Sequence, residues 1–147
     1  VLERAAVTAV VVAVVAALAW WWQRRDRRRP VPVPGRDGLP RQVHRRDLDD
    51  GTRPWLVALF SSRSCASCRA VEEAIAGLSD PEVAIRQVVY EDEPDLHARY
   101  RVPGVPLLLV ADADGVVRAG WLGPLGRAEL DALLCEARAG ASPPQRG

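Results

Sequence analysis

From Ala5 to Trp22 the chain carries no charged side chain, and Thr8 is the one clearly polar residue in that run. At helical rise the run spans about 27 Å, close to the thickness of a hydrocarbon core. Trp20-Trp21-Trp22 closes it as an aromatic belt, and five arginines follow between Arg24 and Arg29, interrupted only by Asp26. The pattern predicts a transmembrane helix over residues 5–22. A cleaved signal peptide fits poorly, because the charge lies on the wrong flank and no small-residue cleavage site follows the tryptophans. A buried core helix would rarely be apolar all round with three tryptophans at one end. Pro30-Val31-Pro32-Val33-Pro34, then Gly35, Gly38 and Pro40, read as a stiff extended spacer. Residues 23–40 are therefore an Arg-rich, then Pro-rich linker.

Beyond the linker the pattern changes to short apolar runs alternating with helical spacing. Trp55–Phe60 is continuously apolar between Pro54 and Ser61, as a buried parallel strand requires. Val71, Ala74, Ile75 and Leu78 recur at helical spacing until Ser79-Asp80-Pro81 stops them. Val83–Tyr90 alternates in part and predicts the next strand. Pro94–Tyr100 suits a short helix opened by its proline. Leu107–Ala111 and Val116–Gly120 predict a hairpin around Asp112-Ala113-Asp114-Gly115. Arg127–Arg138 is amphipathic, with Leu130, Leu133, Leu134 and Ala137 on one face. The expected fold class is α/β, a central mixed sheet flanked by helices over residues 41–138. Residues 139–147, with Pro143-Pro144, read as a disordered tail.

Composition narrows this picture. A length of 147 residues, 48% apolar, allows one domain with appendages. All 20 basic residues are arginine, which excludes lysine chemistry. From Arg41 onward 13 arginines face 16 acids, so no nucleic-acid-binding face is expected. Three cysteines are too few for a disulfide-stapled scaffold.

Two of those cysteines stand as Cys65-Ala66-Ser67-Cys68 directly after the first apolar run. At that spacing they can close a disulfide if the first sits at a helix N-terminus and the second one turn in. There, unpaired N–H groups and the helix dipole favour a thiolate at Cys65, and Arg63 and Arg69 are near enough in sequence to add to this. About forty residues later Val105-Pro106 heads another apolar run, a natural place for a cis peptide. A zinc half-site or two buried thiols are the plain alternatives. Zinc needs two further ligands, and His44 and His97 stand in no ligand spacing, so no metal is expected.

Together these features resemble the thioredoxin family, whose CxxC faces a cis-proline loop. The resemblance covers about Val43 to Arg138. It implies that Cys65 attacks as the nucleophile, that Cys68 resolves, and that Pro106 is the cis-proline. It further implies that Gly104, Val105 and Gly123 meet an extended substrate segment, by pairing with free backbone groups. The working group is then the Cys65–Cys68 redox disulfide, with no other cofactor. Partners would be protein or small-molecule disulfides and thiols, with an upstream thiol reductant or oxidant. Four positions depart from the family. Ser64 stands for the tryptophan before the first cysteine, and Ala66-Ser67 for Gly-Pro. Leu59 falls where a buried aspartate assists proton transfer to the second thiol, and Gln87 where a lysine often accompanies it.

Other candidates read more plainly. Cys135 is offset from the leucine face and is expected to be a spectator. His44 and His97 are expected to be solvated, Glu72 and Glu73 to line the wet side of a helix. Glu91, Asp92, Glu93 and Asp95 are expected to form an exposed acidic loop.

The combined expectation is a single-pass, membrane-tethered thiol–disulfide oxidoreductase. Arginines beside a span tend to stay cytoplasmic, which puts the domain on that face of the cell membrane. Two alternatives remain: a non-catalytic module of the same fold that binds a membrane partner, and an extracytoplasmic thiol reductase of the cytochrome-maturation type, whose hairpin Asp112–Gly115 somewhat resembles.

Overall fold

The computed structural model describes residues 14–18 and 38–140. Residues 14–18 are helical and expose Val14, Val15 and Leu18. Among the described residues no helix is long and apolar enough to cross a membrane. The rest of the expected span, the linker up to residue 37 and the tail from residue 141 lie outside the described residues.

From residue 38 onward the elements are α1 (Arg45–Leu48), β1 (Trp55–Ser61), α2 (Cys68–Ala76), β2 (Val83–Val89), α3 (Pro94–Arg99), β3 (Leu107–Ala111), β4 (Val117–Leu122) and α4 (Arg127–Gly140). The strands form one mixed sheet in the order β2-β1-β3-β4. The β1–β2 pair is parallel and the other two pairs are antiparallel. A parallel pair needs a crossover, which α2 supplies.

Alternation along the central strands divides the core between the two faces of the sheet. Val57, Leu59, Leu108 and Val110 pack with Val71 and Ile75 of α2 and with Leu130 and Leu134 of α4. Leu56, Phe60, Leu107 and Leu109 pack on the other face with Val43, Leu48 and Tyr100. Both faces of β1 are buried, which is why its sequence shows no polar alternation.

The structure departs from the sequence expectations in several places. Helix α1 was not expected; Arg45 holds it by donating to Asp49 within one turn and to the carbonyls of Asp112 and Arg53, each at 2.9 Å. Strand β4 begins at Val117 and runs to Leu122, later than the Val116–Gly120 expectation, because Val116 pairs with Gln42 and the ladder shifts at Val110/Ala111. Gly115 turns the hairpin at φ +77, where an added Cβ would lie 2.1 Å from the Val43 carbonyl oxygen. Helix α4 continues through Gly140, so residues 139 and 140 are helical rather than tail. His97 is buried, not solvated. Its Nε2 lies 3.1 Å from the Val88 carbonyl, and its ring meets Phe60 and Tyr90 edge-on. His44 is exposed as expected.

Candidate active site

The register Phe60↔Leu107 sets the end of β1 beside the start of β3. Whatever follows Ser61 and whatever precedes Leu107 therefore share one end of the sheet. The first is the loop carrying Cys65, and the second is Gly104-Val105-Pro106.

After β1 the chain makes two turns, with Cys65 N–H donating to Ser62 O at 3.1 Å and Cys68 N–H to Cys65 O at 3.2 Å. Helix α2 opens at Cys68, later than expected, so Cys65 lies one turn ahead of the helix. Cys65 and Cys68 form a disulfide with Cα atoms 5.4 Å apart. The two sulfurs differ in access: Cys65 is half-buried, whereas Cys68 is 1% exposed. The Ser67 hydroxyl lies 3.5 Å from Cys65 Sγ, placed to donate to a thiolate there. Arg63 and Arg69 do not serve Cys65 as freely as their sequence positions suggest. Arg63 pairs with Asp92, and Arg69 faces Glu73 at 3.6 Å.

The loop before Cys65 is clamped by Glu91. Its carboxylate accepts from Ser62 Oγ at 2.6 Å and from the Arg63 N–H at 3.1 and 3.2 Å. The Ser62 hydroxyl first, then the Arg63 N–H, hold the Glu91 carboxyl down at about 2. Ser62 also bonds Ser64 at 2.9 Å.

On the facing loop the Val105–Pro106 peptide is cis. Pro106 is buried, while Gly104 and Val105 are half-buried. Val105 carries no backbone hydrogen bond to another described residue. Gly123, at φ +110, donates its N–H to Pro106 O at 2.8 Å. A groove of about 650 Å³ runs from Ser62 past Tyr90 and His97 to Gly104 and Val105, with Arg101 on its wall.

No protein-family model matches the sequence, and no curated protein matches it significantly. Solved structures do match. One titled as the structure of a malarial protein aligns over 58% of this chain and 98% of its own, at 15% identity and TM-score 0.54. A mutant thioredoxin from Halobacterium salinarum aligns over 58% of this chain and 76% of its own, at 23% identity and TM-score 0.51. The fold is thioredoxin-like.

Within this thioredoxin-like domain the residues singled out in the sequence lie together. Cys65 and Cys68 form the disulfide, Pro106 follows a cis peptide, Gly104 and Val105 line the groove, and Gly123 bonds Pro106. Leu59 is fully buried and apolar. Gln87 donates to Ser61 Oγ at 3.0 Å and to Glu72 Oε1 at 2.8 Å. Sequence reasoning missed Ser62, Ser67, Tyr90 and Glu91. Glu91 sits in an acidic run that reads as solvated, and its partners lie 28 and 29 residues earlier. Ser67 carries a signal only through its place between the cysteines. Cys135 is exposed and unbonded.

Proposed function

We propose that this chain is a membrane-tethered thiol–disulfide oxidoreductase acting through Cys65 and Cys68. The observation that carries the reading is the asymmetric disulfide: a reachable Cys65 and an enclosed Cys68 at the sheet end shared with the cis Val105–Pro106 loop. In the reduced state the Cys65 thiolate attacks a substrate disulfide, and the nearer substrate sulfur bonds to Cys65 while the other leaves as a thiolate and is protonated. Cys68 then attacks Cys65 Sγ, which closes the internal disulfide and releases the second substrate thiol. Two electrons pass from the cysteine pair to the substrate, and an upstream dithiol returns them. Val105, whose backbone bonds to no other described residue, pairs with an extended substrate segment beside Pro106, flanked by Gly104 and Gly123. The anchor is the apolar run Ala5–Trp22, and Arg24–Arg29 keep the domain on the cytoplasmic face, where a reducing pool favours disulfide reduction.

Replacing Cys68 with Ser tests this. The variant is expected to accumulate mixed disulfides through Cys65 with protein or small-molecule disulfides, whereas Cys65→Ser does not. If Cys68→Ser forms none under exchange conditions, the enzyme reading is wrong. The fully apolar Leu59 at the carboxylate position favours a second reading, a binding module with the same surface. That reading expects partner binding to survive loss of both cysteines.

A further inference from the structure

Helix α3 ends in a turn that ordinarily takes glycine. The Val102 N–H donates back to His97 O at 3.0 Å and the Arg101 N–H to Ala98 O at 3.1 Å. These are the paired bonds of a helix cap whose residue after Tyr100 turns left-handed. That residue is Arg101, at φ +48, the one non-glycine residue of positive φ among the described residues. A side chain there costs stability that glycine would not, because its Cβ crowds the following carbonyl. The fold recovers none of this through the guanidinium, which is exposed and forms no hydrogen bond or ion pair with a described residue.

What the Arg101 side chain does face is the groove, which it lines with Tyr90, Val102, Gly104 and Val105. The lining is mainly apolar. Asp95, the one carboxylate on the wall, lies in the first turn of α3, at the far end of the helix from Arg101, and it faces the charge of Arg99. The neighbouring acids Asp92 and Glu93 are paired with Arg63 and Arg86. The Val105 end of the groove therefore holds a positive charge that no described residue answers. An exposed arginine by itself is an ordinary solvated side chain. The glycine-type backbone and the groove set this one apart, since strain that the fold does not use belongs at sites of function.

We propose that Arg101 is a specificity-determining residue, which selects disulfide substrates whose extended segment carries a carboxylate side chain close to its reacting cysteine. This rests on the exchange function proposed above. With the segment's backbone paired at Val105, its side chains alternate in direction, and those on the α3 side meet the guanidinium. Arginine holds a carboxylate by two parallel N–H···O bonds, and a mainly apolar groove screens the pair less than open surface does. The exchange step itself is unchanged. The Cys65 thiolate attacks the segment's sulfur, the substrate S–S bond breaks, and the other sulfur leaves with the bonding pair and takes a proton from solvent.

The full chain carrying Cys68→Ser and Cys135→Ser, the parent here, is reduced and offered short peptides, each as its mixed disulfide with 2-mercaptoethanol. Glu, Gln or Lys is placed in turn at successive positions on either side of the peptide's cysteine, and growth of the Cys65–peptide adduct is followed by mass spectrometry. At one position or more Glu is expected to outpace Lys, with the Gln peptide as the uncharged reference. Arg101→Gln should reduce that preference about 3- to 10-fold. Arg101→Lys should keep part of it, and added salt should weaken it in the parent. Arg101→Gly should lose it as Arg101→Gln does, yet unfold at a higher denaturant concentration than the parent, because glycine relieves the left-handed turn. A parent without the preference, or an equal preference in parent and Arg101→Gln at every position, overturns the proposal. A lower unfolding midpoint for Arg101→Gly would show that the arginine serves the fold, and overturns it too. If the parent forms no adduct with any peptide, the exchange reading fails instead.

Discussion

Glu91 accepts three hydrogen bonds from the loop that leads into Cys65, and those bonds hold its carboxyl at about 2, against an ordinary value of 4.5. The folded value lies below the ordinary one, so the clamp is fully formed above 4.5 and is released as pH falls toward 2. The Ser62 hydroxyl is the largest cause. Ser62→Ala should therefore raise the Glu91 titration toward its ordinary value, read from the side-chain carboxyl signal by NMR. An unmoved titration would show that the hydroxyl is not responsible. At this scale the Cys65–Cys68 pairing and the cis bond before Pro106 were legible, because a short-range disulfide and a cis X-Pro peptide need those residue types at those places. Glu91 and His97 were not. Each depends on a contact made by the folded chain: Glu91 with Ser62 and Arg63, His97 with the Val88 carbonyl and the rings of Phe60 and Tyr90. Nothing in a run of acids or in a six-residue charged helix marks such a residue out.

Among the elements, every strand and the helices α2, α3 and α4 were legible from apolar runs and helical spacing. Boundaries moved by one to three residues where caps and bulges, not hydrophobicity, decide them. Helix α1 is the exception. Its four residues, Arg-Arg-Asp-Leu, hold too little apolar signal, and it persists because Arg45 is 8% exposed and fully engaged by Asp49, Asp112 and Arg53. Removing one partner from an enclosed ion pair leaves the other uncompensated. Arg45→Ala should lower unfolding free energy by about 3–5 kcal/mol in a denaturant titration. A loss under about 1 kcal/mol would mean that the pair behaves as a surface salt bridge.

For the whole molecule, the α/β alternation of the described residues from 41 onward was legible, while the order β2-β1-β3-β4 required the structure. In the proposed tethered form, membrane side decides which redox pool the cysteines meet. Placing one arginine at a helix centre costs about 2.5–3.5 kcal/mol on insertion scales, so five beside the proposed span should bias insertion strongly. A reporter fused after Gly147 is expected to work only in a cytoplasmic format. Neutralising Arg24, Arg25, Arg27, Arg28 and Arg29 should weaken or invert that preference. Accessibility of the unmodified fusion from outside intact cells would place the domain with extracytoplasmic thiol reductases, with both cysteines unchanged in role.

That Cys65–Cys68 is a working disulfide, rather than a staple, is tested most directly by its reduction potential. The chain is equilibrated in thiol buffers of graded potential, and the oxidised fraction is read by alkylation and mass measurement. An exchange site should titrate as one two-electron step between roughly −270 and −120 mV, the span of working oxidoreductases of this type. A pair that stays oxidised below about −300 mV would be a structural disulfide, and that result would contradict the account.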